Sequence, residues 1–94
     1  MKVTIRLFTT LREIAGKRVE TLQLNLKSTT VRHVLEELTR KYGKEFQDYL
    51  YKGKEVREYL QILLNGKNTS LLENLETLVS EGDEIAIIPP VGGG

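Results

Sequence analysis

The 94-residue sequence has no cysteine, no tryptophan, two prolines and a single histidine. Without cysteine the chain can form neither a disulfide framework nor a thiolate zinc site, and it has no cysteine nucleophile. Long apolar runs are missing too. The longest, Ile85-Ala86-Ile87-Ile88, is four residues, against the ~20 that a bilayer-spanning helix needs. Met1-Lys2-Val3-Thr4 lacks the apolar stretch of a secretion signal, so a cytoplasmic protein with no membrane partner is expected. Strong charge of one sign is also absent: a net charge of +1 excludes nucleic-acid binding by bulk basicity.

What is present is ordinary for one small domain, with 39% apolar and 29% charged residues. A chain of this size buries ~60–65% of its unfolded surface, enough for a single thin core. The charges are not evenly spread. All Lys and Arg residues lie at or before Lys67, which leaves residues 1–67 at +6 and residues 68–94 at −5. Such asymmetry can steer association. Equally, the two segments can interleave in the fold and pair their charges on a solvated surface, and that is the expectation.

Val3-Thr4-Ile5-Arg6-Leu7 alternates apolar and polar residues, the pattern of a half-buried strand with Val3, Ile5 and Leu7 inward. After a break at Thr9-Thr10, the segment Leu11 to Gly16 is closed by glycine. Alternation returns from Val19 to Leu26, with Leu22, Leu24 and Leu26 on one face. The two strands are expected to pair antiparallel. Ser28-Thr29-Thr30 offers helix N-cap residues. Val31, Val34, Leu35, Leu38 and Tyr42 then mark an amphipathic helix ending at Gly43. His33 falls on the polar side of that helix and reads as a surface residue.

Residues 44–58 carry the weakest signal. Phe46, Tyr49 and Leu50 suit a short helical turn, and Lys52-Gly53-Lys54-Glu55 a chain reversal. Tyr59 to Leu64 reads as a strand with Leu60, Ile62 and Leu64 inward. Asn65-Gly66 is a type I′ hairpin signal, because both central residues of that turn need positive φ. Leu71, Leu72, Leu75 and Leu78 fit one or two helical turns, and Glu84 to Ile88 a last strand after Gly82-Asp83. This order predicts an α+β fold, a sheet with one main helix laid across one face.

The chain closes with Pro89-Pro90-Val91-Gly92-Gly93-Gly94. The prolines cannot donate to a ladder, so the last strand stops there and leaves by a stiff, extended exit. Six residues from Pro89 reach about 20 Å at ~3.3 Å each. Almost without side chains, such an arm can enter a narrow channel and deliver its carboxylate to a buried site, since glycine lets channel walls approach the backbone. A domain over residues 1–88 with a flexible working tail over 89–94 is expected, rather than a frayed end. The paired acids Glu36-Glu37 and Asp83-Glu84 give no case for a free-standing enzyme, because neighbours on a strand face opposite sides.

A patch follows from the same alternation. If the odd residues of the first strand face inward, Phe8 faces out. By the same reasoning Leu63 and Ile88 face out of their own strands. Three adjoining strands would then place large apolar residues on one solvent face near the exit of the tail, as interfaces often do.

The ending Gly82-Asp83-Glu84-Ile85-Ala86-Ile87-Ile88-Pro89-Pro90-Val91-Gly92-Gly93-Gly94 resembles that of the MoaD/ThiS family: the small subunits of molybdopterin synthase, the thiamine-pathway sulfur carriers and their ubiquitin-like relatives. Phe8-Thr9-Thr10-Leu11-Arg12-Glu13-Ile14-Ala15-Gly16 is similar to that family's Phe-x-x-Leu-Arg-Glu-Leu-x-Gly signature, and Thr30-Val31 and Leu64-Asn65-Gly66 match as well. The MoaD type fits better than the thiamine type, although Gly92 stands where the family often has a bulkier residue. The resemblance implies a β-grasp (ubiquitin-like) fold, a mixed sheet of four to five strands whose first and last strands pair parallel at its centre. It also implies a non-catalytic subunit. An E1-like activating enzyme would adenylate the Gly94 carboxylate with its own ATP and magnesium, and a sulfur donor would convert it to a thiocarboxylate. The molybdopterin synthase large subunit would then take up the tail, with Phe8, Leu63 and Ile88 at the partner interface. The chain itself would bind no cofactor and no metal. The alternatives are a modifier conjugated to lysines through Gly94, a carrier for thiamine synthesis or tRNA thiolation, and an inert interaction module.

Overall fold

Alternation in the first strand sets the architecture of the computed structural model, which describes residues 1–90. Strand β1 (Lys2–Leu7) buries Val3, Ile5 and Leu7 and turns its even residues outward. Helix α1 (Thr9–Ala15) follows and ends at Gly16, which takes the left-handed conformation at φ 77° that glycine adopts without strain. Strand β2 (Val19–Gln23) returns antiparallel along β1. The short β3 (Ser28–Thr30) leads into α2 (Val31–Tyr42), where Thr30 Oγ1 accepts the His33 N–H, the N-cap expected of this threonine. Helix α3 (Lys44–Leu50) is followed by the two-residue strands β4 (Tyr51–Lys52) and β5 (Glu55–Val56), which form a small hairpin. Strands β6 (Gln61–Leu64) and β7 (Lys67–Asn68) flank Asn65 and Gly66, both at positive φ. After two short 3-10 turns come β8 (Leu78–Ser80) and β9 (Glu84–Ile88).

The main sheet has five strands in the order β2-β1-β9-β6-β7. β9 lies at its centre, parallel to β1 and antiparallel to β6. The parallel pairing of first and last strands that the resemblance implied is present. On the inner face Val3, Ile5, Leu7, Leu22, Ile62, Ile85 and Ile87 join Val31, Val34, Leu35 and Leu38 of α2 and Phe46 and Leu50 of α3 in one core. The opposite charges interleave as expected: Arg6 pairs with Glu84 at 3.0 Å and Arg32 with Glu76 at 2.7 Å. Both pairs join the basic N-terminal part to the acidic C-terminal part.

Three expectations need correction. Leu26 does not share the buried face of Leu22 and Leu24; it is exposed, because β2 ends at Gln23 and the chain beyond Leu24 has passed the start of β1. Leu78 is not on a helical turn: it lies on β8, opposite Thr30 of β3, with its side chain outward. Leu71 does lie on a 3-10 turn but is exposed, while Leu75 packs against the core. The strand expected from Tyr59 starts at Gln61, with Leu60 buried just ahead of it.

One polar group is built into the inner face. Glu20 is only 3% exposed. Lys41 Nζ donates to its Oε1 at 3.0 Å, the Tyr42 hydroxyl donates to Oε2, and Lys17 lies 3.3 Å away. Burial opposes its charge, but these donors outweigh that and hold the carboxyl below the usual range. Burial and the Glu20 carboxylate in turn push the Tyr42 phenol up. Because the folded carboxyl is the stronger acid, its contribution is complete above the unfolded pKa of ~4.3 and fades as pH falls through the folded value. Glu20→Gln is expected to lower stability at pH 7 by about 1–2 kcal/mol, a drop of roughly 5–10 °C in Tm. The gap to the native chain should close as the pH is taken below about 4. Equal Tm values at pH 7 would count against this account.

Candidate functional site

Pro89 and Pro90 continue β9, so the tail is rooted in the central strand of the sheet. The far end of that strand is held tightly. Asn65 Nδ2 donates to Asp83 Oδ1 at 3.1 Å, and Asn65 Oδ1 accepts the Glu84 N–H at 2.9 Å. Asp83 Oδ2 accepts the Ser80 N–H at 2.8 Å. The Asn-Gly and Gly-Asp-Glu turns are thereby one unit, which fixes the register of β9 and so the point at which the chain leaves the sheet. Pro89 is half-buried and Pro90 exposed. Val91, Gly92, Gly93 and Gly94 lie outside the described residues.

The outer face of the sheet meets this exit. Arg6 is paired with Val19 of β2 and with Ala86 of β9, and Ala86 with Leu63 of β6. Directly paired residues point to the same side. One row across four strands therefore reads Val19, Arg6, Ala86, Leu63. Ile88, two residues beyond Ala86, shares that side. Phe8, extended at φ −125° and ψ 151°, shares it by alternation from Arg6. Phe8 is 37% exposed, and Leu63 and Ile88 are half-buried. The structure thus brings the three predicted apolar residues to one face, at the end of the sheet from which the tail departs. Thr9, at φ 43°, turns the chain sharply after Phe8.

Sequence reasoning missed three neighbours on this face: Arg6, Val19 and Ala86. Period-2 alternation already placed Arg6 there, but its charge set it apart from a search for apolar residues. Arg6 Nε lies 3.0 Å from Glu84 Oε2 on the same face, and both side chains are about half exposed. No group of three or more acidic or histidine side chains that could hold a metal occurs among the described residues. His33 has only a 3.8 Å contact from Nε2 to Glu37 Oε1. Nor is any helix among the described residues long and apolar enough to cross a membrane.

The sequence profile of the ThiS family matches residues 5–94. An Archaeoglobus fulgidus protein, provisionally named as a sulfur carrier protein, is 34% identical over 73 residues, covering 78% of this chain and 83% of the relative. Small archaeal modifier protein 3 of Haloferax volcanii is 30% identical over 94 residues, the whole of both chains. The solution structure of small archaeal modifier protein 1 from Methanosarcina acetivorans superposes with a TM-score of 0.81 at 39% identity, covering 99% of this chain and 96% of that one. The fold is the ubiquitin-like β-grasp.

Proposed function

The chain belongs to the ThiS family, and from that premise we propose that it is a ubiquitin-like sulfur carrier whose working group is the Gly94 carboxylate. The observation that carries this reading is the placement of Pro89-Pro90 at the end of the central strand, with only Val91 and three glycines beyond them. A proline pair makes a stiff root, and a sequence without bulk beyond it suits a partner's narrow channel.

The chemistry follows from the weakness of a carboxylate as an electrophile. In an E1-like activating enzyme a Gly94 carboxylate oxygen attacks the α-phosphorus of ATP and pyrophosphate leaves. A hydrosulfide-equivalent donor then adds to the acyl carbon, and AMP departs to leave a thiocarboxylate. This chain supplies the carboxyl group and the docking face; nucleotide and magnesium belong to the enzyme. Phe8, Leu63 and Ile88 form the docking face, and Val91, Gly92 and Gly93 thread the channel. The sulfur is handed on in molybdenum cofactor biosynthesis, inside the large subunit of a molybdopterin synthase. Incubation with the cognate activating enzyme, ATP and a sulfur source is expected to raise the intact mass by about 16 Da, one oxygen exchanged for sulfur. An unchanged mass, under conditions that charge a known carrier, would rule the reading out.

A second reading has support of its own. The relative that matches over its full length is named as a modifier protein. Conjugation through Gly94 uses the same acyl-adenylate but delivers the acyl group to a lysine amine. Isopeptide remnants on lysines of other proteins, found after pull-down of tagged chain, would establish it, and one chain can do both.

A further inference from the structure

Arg6 occupies an unusual place on the outer face of the sheet. Its row neighbours are Val19, Ala86 and Leu63, and Phe8 and Ile88 share the face beyond it. The guanidinium thus stands beside apolar residues of its own row, on a face that also carries Lys2, Thr4, Glu84 and Gln61. Glu84 Oε2 lies 3.0 Å from the Arg6 Nε as an ion pair, which leaves the N–H donors of the guanidinium available. Among the described residues no other ion pair or hydrogen bond involves its side chain. Arg57, by contrast, gives two donors to the Asp48 carbonyl. Lys2 has the Glu81 carboxylate against its backbone N–H, so what this face offers a partner is the guanidinium of Arg6 rather than a general excess of positive charge.

A partner that covers Phe8, Leu63 and Ile88 also covers Arg6. Desolvating a guanidinium whose terminal amino groups find no acceptor is costly, whereas a carboxylate meeting them makes two parallel charge-assisted bonds. We propose that Arg6 is the charged anchor of the docking face, and that the activating enzyme presents an Asp or Glu carboxylate to it from a largely apolar surface. The inference rests on the carrier reading above, since that reading supplies the partner. Arg6 is then a specificity device as well: an activating enzyme with a neutral or basic group at that point is rejected.

The test is the dissociation constant of the full-length chain for the cognate activating enzyme, measured without ATP at low and high salt. Arg6→Gln is expected to weaken binding about 10- to 30-fold and Arg6→Glu more than ~100-fold. Arg6→Lys keeps the charge but loses the fork, and is expected to weaken it about 3- to 5-fold. Binding by the Gln variant should also lose much of the native salt dependence. Because the Arg6–Glu84 pair is half exposed, Tm should move by less than about 3 °C in the Gln variant, so weaker binding is not misfolding. Equal affinity and salt dependence for the native chain and Arg6→Gln would overturn the proposed contact. Native binding with no thiocarboxylate formed on adding ATP and sulfur would overturn the carrier reading and leave the contact standing. No binding by the native chain would overturn both.

Discussion

Deleting Gly93 and Gly94 is expected to lower charging by the activating enzyme by at least ~10³-fold, because the reacting carboxylate is withdrawn by two residues, about 7 Å. Every element among the described residues ends by Ile88, so the deletion leaves the fold intact and Tm should stay within about 2 °C. Binding through the sheet face should weaken far less than catalysis. A single bulky residue appended after Gly94 makes the sharper test. It moves the carboxylate only one residue outward, yet adds a side chain to an arm that otherwise carries none beyond Val91. A loss of roughly 10²-fold or more is expected. Intact mass after timed incubation with enzyme, ATP and sulfur source measures both. If either variant charges as fast as the native chain, the Gly94 carboxylate is not the reacting group and the proposed chemistry fails.

How far this site could be read in advance depends on whether its signals are local. The period-2 pattern of β1, the helical spacing from Val31 to Leu38 and the Asn65-Gly66 turn each lie within a dozen residues, and each has its expected structure. From those elements the outward direction of Phe8, Leu63 and Ile88 followed by counting. Non-local facts did not follow. The parallel pairing of β1 with β9 joins Thr4 to Glu84 across most of the chain, and only the family resemblance pointed to it. Glu20 breaks an inward apolar pattern, and the groups that satisfy it, Lys41 and Tyr42, lie 21 and 22 residues away. Leu26 was misread because alternation records side-chain polarity and does not tell where a strand runs out of partners. Leu78 was misread because apolar spacing alone cannot tell a helical turn from a two-sided strand in so short a segment.

The segment with the weakest sequence signal, residues 44–58, nonetheless supplies a central part of the core. Phe46 on α3 is fully buried and stacks on Tyr42 of α2 with ring centroids 5.3 Å apart. Glu45, Gln47 and Asp48 surround it in sequence, so no long periodic run announced it. Phe46→Ala is expected to cost about 3–5 kcal/mol, the sum of lost apolar transfer and an unfilled cavity. Against the roughly 5–14 kcal/mol usual for a chain of this length, that is a large share. In urea the unfolding midpoint should fall by about 2 M with little change in slope. Phe46→Leu fills most of the space and should lose about 1–2 kcal/mol. Phe46 lies in the core on the inner side of the sheet, across from the docking face. At a temperature where the Ala variant is still folded, charging should therefore stay within about twofold of the native rate. A stable Ala variant would mean that α3 is loosely attached. A folded variant that charges poorly would mean that this segment reaches the partner, and would shift the interface from the open face of the sheet toward the helices.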